Sequence, residues 1–273
     1  MSPVILLPAV LLGLCLQPHP GQAEEKKGKA PKIRLIEKNW GQTNEADVLA
    51  VLNSTARQLF PHSGRNDWNA IHVGRSSNGP IVLFRRGDRG EYFVNLNTGD
   101  RFWCQYAFQF SHEIGHILCG YREGDQSNHW FEETICETAS LFALGKLSED
   151  WKTNPPYSNW KSYAGQFEKY ARERVEKQPW PEDLTLADWY EREKDELAGN
   201  ATDRARNLMV AIRLLPFFEE EPAGWAALSS LNERKDRKKR NFRTYLGDWL
   251  NGCKTEDRRA FVRKIAKAFG FKL

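Results

Sequence analysis

The chain reads as an α+β protein: a small mixed sheet, with an edge strand packed on a histidine-bearing helix, followed by a mostly helical C-terminal lobe. Three observations predict this. Short apolar runs bounded by turn residues, "IRLI", "AIHV", "IVLF" and "YFVNL", fall between residues 33 and 96. "DRFWCQYAFQFSHEIGHILCG" then repeats apolar residues at three- and four-residue steps without a proline. From Asp150 onward the patterns are helical and rich in Trp and charge. At 273 residues and 40% hydrophobic, there is apolar material for one large domain or two small lobes.

Taken in order, the first segment stands apart from that core. Val4 to Leu16 is a continuous apolar run, followed by Pro18, Pro20 and the small residues Gly21 and Ala23 that a signal peptidase needs. Residues 1–23 are therefore expected to be a cleaved signal peptide, and 24–32 a charged, flexible leader. The run is too short to span a bilayer comfortably. Leu14 is large where a lipoprotein signal before Cys15 wants a small residue. The expectation is export to a secreted or periplasmic location, with no stable membrane insertion after cleavage.

Residues 33–149 are expected to form one lobe. "IRLI" is a short strand, and Asn44 caps a helix that carries Val48, Leu49, Leu52, Ala56 and Leu59 on one side and ends at Pro61. The strands "AIHV", "IVLF" and "YFVNL" follow. In the last, Tyr92, Val94 and Leu96 share one face and Glu91, Phe93 and Asn95 the other, which suits an edge strand. A helix over Phe102–Cys119 closes at Gly120, and after the polar "YREGDQSN" a second begins in "HWFEETICETASLFALGKL". Residues 150–273 form the helical lobe, with helices at Tyr157–Lys177, Leu186–Leu197, Asp203–Phe218, Trp225–Asn232, Phe242–Leu250 and Asp257–Phe269.

A net charge of +4 is modest for this length, and "RKDRKKR" (Arg234 to Arg240) reads as a solvated connection, so no nucleic-acid partner is expected. Cys104, Cys119, Cys136 and Cys253 remain after the leader, to be bridged in any of three pairings or left as buried thiols.

The chemistry lies in "HEIGH". On a helix, positions i and i+4 sit about 40° apart, so His112 and His116 can aim at one ion. Glu113 lies about 100° round from His112, placed to reach a water rather than the ion. Gly115 removes a side chain beside the pair. A catalytic site wants a third protein ligand. A metzincin-type histidine would need Gly at 119 and His at 122, where Cys119 and Arg122 stand. The following helix offers Glu132, Glu133 and Glu137. A helix with two ordinary histidines is the competing reading.

"HEIGH" followed by "WFEETICE" resembles the gluzincin group of zinc metallopeptidases, specifically over residues 108–142. The resemblance implies a zincin-like fold and one Zn2+ per chain, held by His112, His116 and Glu133, with Glu113 as general base. It implies that Glu137, four residues after the ligand glutamate, is the acid that orients a zinc-bound imidazole. It also implies that the edge strand, expected in "EYFVNLN", pairs with an extended peptide or protein substrate. A Tyr or His usually stabilises the developing oxyanion, and Tyr157, Tyr163, Tyr170 and His129 are the candidates; His129 is also the reserve third ligand. No Gly-x-Met-x-Asn exopeptidase signature precedes the motif. The alternatives are a zinc-dependent amidase on a non-peptide substrate and a non-catalytic, zinc-stabilised binding protein.

Overall fold

A computed structural model describes residues 28–120, 126–234 and 238–273, with Gln126 described by its backbone alone. The expected signal segment and the start of the leader lie outside the described residues. The protein is α+β, with a small mixed sheet and a helical C-terminal region. Among the described residues the sheet has the order β1 (Ile33–Leu35), β2 (Ile71–Arg75), β4 (Tyr92–Leu96), β3 (Ile81–Val82). β1, β2 and β4 run parallel, with Ile33 opposite Ile71 and Ile71 opposite Tyr92. β3 runs antiparallel to β4, with Val82 opposite Val94.

This order corrects the expectation for "YFVNL". β4 lies inside the sheet, and β3 and β1 are its two edges. The alternation of buried Tyr92, Val94 and Leu96 with half-buried Phe93 and Asn95 is as expected. Alternation reports which face of a strand is covered; it carries no information about how many neighbours the strand has in the plane. β3 is only two residues long, and a short edge strand limits unwanted pairing with other chains.

The helix α1 (Glu45–Leu59) is capped by Asn44, whose side chain accepts from the Asp47 N–H, and it buries Val48, Val51, Leu52 and Leu59. α2 (Trp103–Leu118) and α3 (His129–Asp150) pack directly on each other and on α1. α3 is buried on nearly all sides, so it lacks the one-sided stripe of a surface helix. The expected helix at Tyr157–Lys177 instead begins as a 3-10 turn over Ser158–Tyr163 and becomes α4 at Ala164–Glu176. Trp160 stacks on both Trp103 and Trp151 there, and this clamp holds the tighter turn. α5 (Leu186–Gly199) and α6 (Arg204–Glu220) follow. Pro222–Ser230 is 3-10 where a helix was expected from Trp225. At Gly224 a Cβ would sit 2.3 Å from the Phe261 ring, so only glycine permits this approach. α7 (Phe242–Gly252) and α8 (Glu256–Ala268) complete the chain.

The buried core runs without a break from Ile33 to Phe269. At its centre, Trp130 and Phe131 in the first turn of α3 pack on Phe242 and Phe269 from α7 and the end of α8. Two large aromatic side chains thus fix the turn that carries Glu132 and Glu133. All of Cys104, Cys119, Cys136 and Cys253 are buried and free. No helix among the described residues is long and apolar enough to cross a membrane.

Candidate metal centre

The contact between α2 and α3 builds the site. At Gly115 a Cβ would lie 2.8 Å from the Cα of Cys136, so the glycine lets the two helices close. The Ser140 hydroxyl on α3 donates to the Phe108 carbonyl on α2 at 2.9 Å. One face of α2 is thereby brought onto the acidic turns of α3. His112 Nε2 lies 3.2 Å from Glu133 Oε2, and His116 Nε2 lies 3.6 Å from Glu133 Oε1. The other ring nitrogens point away. His116 Nδ1 meets Glu132 Oε1 at 2.8 Å, while His112 Nδ1 stands 3.7 Å from Glu137 Oε1, beyond hydrogen-bond reach. His129, one turn before Glu133, places its Nε2 3.6 Å from Glu133 Oε1.

The structure therefore brings together His112, His116, Glu133 and Glu137, with Glu113 beside them. Donor atoms of His112, His116 and Cys136 lie within 4.8 Å of one another, as do those of His116, His129 and Glu132. Buried His, Cys and Glu groups at this place can hold a metal ion. These two sets, and the trio His112, His116 and Glu133, differ in chemistry. Burial, with neighbouring Cys119 and the surrounding carboxylates, pushes the Cys136 thiol well above its ordinary pKa and disfavours the thiolate a metal requires. Glu132 approaches His116 from the Nδ1 side. Glu133 alone faces the Nε2 atoms of both α2 histidines.

The carboxylates are driven apart electrostatically. Burial raises the Glu133 pKa, but the hydrogen bond from His112 and the charges of His116 and His129 outweigh it and bring it to about 2. Burial also raises Glu113, and there His112, His116 and the Val82 N–H only partly offset it. Burial opposes charge on His116, yet the bond to Glu132 and the charges of Glu113 and Glu133 raise its pKa to about 9. Burial raises Glu137 against the pull of His112, Arg174 and Arg204. Two adjacent acids with opposite shifts are what a division between a permanently ionised group and a proton acceptor needs.

The cluster opens into a cleft of about 890 Å³. On one side stands the edge strand, with Pro80, Ile81, Val82 and Phe84. The Leu83 N–H donates to the Phe93 carbonyl, so by alternation the Val82 N–H points away from β4, toward Glu113. Of the tyrosines expected as candidates, Tyr170 lines the cleft and Tyr157 and Tyr163 do not. Tyr163 packs against Trp151 and Phe167 and pairs with the Cys104 thiol, and Tyr157 packs on the edge of Trp160. His129 also faces the cleft.

Further residues of the site are invisible to sequence pattern. The Tyr245 hydroxyl donates to Asn232 Oδ1 at 3.1 Å, and Asn232 Nδ2 donates to Glu132 Oε2 at 2.7 Å and to the Cys119 carbonyl at 3.2 Å. A buried chain thus runs from α7 through Asn232 and Glu132 to His116. Glu132 could have been suspected, since adjacent helical positions about 100° apart can flank one imidazole. Asn232 and Tyr245 carry no such signal. Comparison of the chain with protein-family models, curated proteins and solved structures gives no match.

Proposed function

We propose that this chain is an exported zinc metallopeptidase in which His112, His116 and Glu133 hold the ion and Glu113 is the general base. The observation that carries the reading is the orientation of the two imidazoles, each with Nε2 toward Glu133 and Nδ1 toward an outer acid. Two ligands of a tetrahedral zinc, each roughly 2.0–2.1 Å from it, stand about 3.3 Å apart. His112 Nε2 stands 3.2 Å from one Glu133 oxygen and His116 Nε2 stands 3.6 Å from the other, both near this spacing. An outer acid bonded to Nδ1 fixes the tautomer a ligand imidazole needs, a part Glu132 takes for His116, while Glu137 faces the His112 Nδ1 across 3.7 Å without a hydrogen bond. The apolar run at Val4–Leu16 supports export.

When bound, zinc would polarise a substrate carbonyl and lower the pKa of a water toward neutrality. The remaining work falls to the chain. Glu113 is 2% exposed, and its raised affinity for a proton suits it to accept one from water and pass it to the leaving amine. β3, rather than β4, is the strand an extended peptide would join, since its outer side faces the cleft. His129 and Tyr170 stand in the cleft as donors for charge developing on the carbonyl oxygen.

Purified protein is expected to hold close to one zinc per chain, lost on Glu133→Ala. Glu113→Gln should keep the metal and lower cleavage of a denatured protein substrate by roughly 10²–10⁴. Zinc content by elemental analysis, beside cleavage rates, decides it. Wild-type protein that binds no zinc, or a Glu113→Gln variant that cleaves at the wild-type rate, would sink the reading.

A further inference from the structure

A side cavity of about 420 Å³ opens off the cleft, and Phe108, Glu137, Tyr170, Arg174 and Arg204 line both spaces. We propose that Arg174 and Arg204 make this cavity a carboxylate-binding subsite, so that the enzyme selects peptides presenting an anionic group there. The inference rests on the peptidase reading for its substrate, though not for its geometry.

Arg174 is held for the purpose. Its guanidinium carbon lies 3.9 Å from the centre of the Phe108 ring and 4.6 Å from that of Tyr170, and Nη2 donates to the Tyr170 hydroxyl at 2.6 Å. Nε is buried without a hydrogen-bond partner. Among the described residues, no carboxylate comes within ion-pair distance of Arg174 or Arg204. Other arginines are satisfied: Arg206 by Glu193 and Asp203, and Arg240, just ahead of α7, by Asp248. The acids facing the subsite are Glu137, which already looks toward His112, and Glu173, which pairs with Lys169 at 3.8 Å. Lys177 adds a third cation to the lining.

A partly desolvated guanidinium without a counterion is costly to maintain. Two aromatic rings and a hydroxyl fix its direction, so little conformational freedom is lost when an anion arrives. Neighbouring Glu137 places the subsite one residue away from the imidazole of His112. A substrate carboxylate seated there would hold the adjacent peptide bond near the metal cluster. The chemistry is shared by two sources, the free C-terminus of a peptide and an Asp or Glu side chain.

The test measures binding, which does not require turnover. Zinc-loaded Glu113→Gln protein is titrated with three fluorescently labelled forms of one peptide: the free acid, the C-terminal amide, and the amide carrying an added glutamate. The free acid or the glutamate form is expected to bind about tenfold more tightly than the plain amide. Which of the two gains identifies the source. Arg174→Gln and Arg204→Gln should each collapse that ratio toward one, while Arg204→Lys keeps part of it. Arg204 is exposed, so its variant decides the matter even if Arg174→Gln weakens the fold. Equal binding of the three forms, no binding of any, or a preference untouched by both substitutions overturns the subsite. A preference that depends on the arginines, in a wild-type protein that cleaves nothing, would keep the subsite and remove the peptidase. Cleavage without any preference would do the reverse.

Discussion

On its outer side His116 meets Glu132 at 2.8 Å, and behind Glu132 stand Asn232 and Tyr245, all of them buried. On its outer side His112 looks toward Glu137 at 3.7 Å, with the cations Arg174 and Arg204 beyond. The two imidazoles come from one helix and share one carboxylate, yet one flank is filled by a hydrogen-bonded chain along the cleft wall and the other opens into a charged side cavity. A saturated chain fixes geometry. An open flank with unpaired cations leaves room for a ligand. On the proposed function, the His116 side would mainly hold the metal and the His112 side mainly receive substrate.

The sharpest way to break that division is to neutralise each outer acid in turn. Glu132→Gln keeps the shape but removes the charge that the His116 Nδ1–H donates to, and is expected to weaken zinc affinity about 10–100-fold. Glu137→Gln, acting across a longer gap, should cost only a few-fold, because the lost attraction is weaker at that distance. Competition against a chelator of known affinity measures both. If Glu137→Gln weakens zinc as much as Glu132→Gln, the two flanks are equivalent and the comparison fails.

Next in size is the chain behind Glu132. Asn232→Leu leaves a carboxylate oxygen and the Cys119 carbonyl without their donor in a buried place, at a cost of about 1–3 kcal/mol in folding stability. Tyr245→Phe removes the neutral hydrogen bond to Asn232 at the far end, so about 0.5–1.5 kcal/mol is expected. Urea unfolding of the zinc-free protein separates these from metal effects. Asn232→Leu should also lower zinc affinity through Glu132, and a variant that lost stability but kept full affinity would show the chain to be structural only.

Much of the closed flank's near half was legible in the sequence, and little of its far half. His112 and His116 face one way because local helical geometry requires it, and that geometry survives any tertiary arrangement. Glu133 was reachable because α3 is a long, unbroken helix whose register with the motif could be laid out. Glu137 is expected from the sequence beside one of the two imidazoles, with no indication of which, and it faces His112 across a 3.7 Å gap. Glu132 was set aside as a ligand, but its pairing with the other face of His116 was missed, because one helix sequence does not say on which side of its partner it docks. Asn232 and Tyr245 reach the site from around α7, which packs on Trp130 and Phe131, and Arg174 and Arg204 reach it from α4 and α6, which pack on α3; none of these approaches is local in sequence. The same limit explains β4. Its alternation was real, but the strand order depends on where the two-residue β3 folds back.

A local effect of about 1 kcal/mol tests the open flank from outside the site. Arg204 begins α6, and Asp203 caps that helix by accepting from the N–H groups of Ala205 and Arg206. Burial raises the Asp203 pKa, but those bonds and the Arg206 guanidinium outweigh it and leave it below its usual 3.8. A carboxylate depressed in the folded state contributes stability at all pH values above its unfolded pKa of about 3.9, and loses it as pH falls through the lower folded value. Asp203→Ala should therefore cost about 1 kcal/mol near neutral pH, with the gap to wild type closing in acid below about pH 3.8. Fraying the first turn of α6 displaces Arg204 without touching α2, although Asn207 in the same turn accepts from Thr134 on α3. The carboxylate preference of the cavity should fall in this variant while zinc affinity stays at the wild-type value, and a parallel loss of both would mean that the two flanks are one cooperative unit.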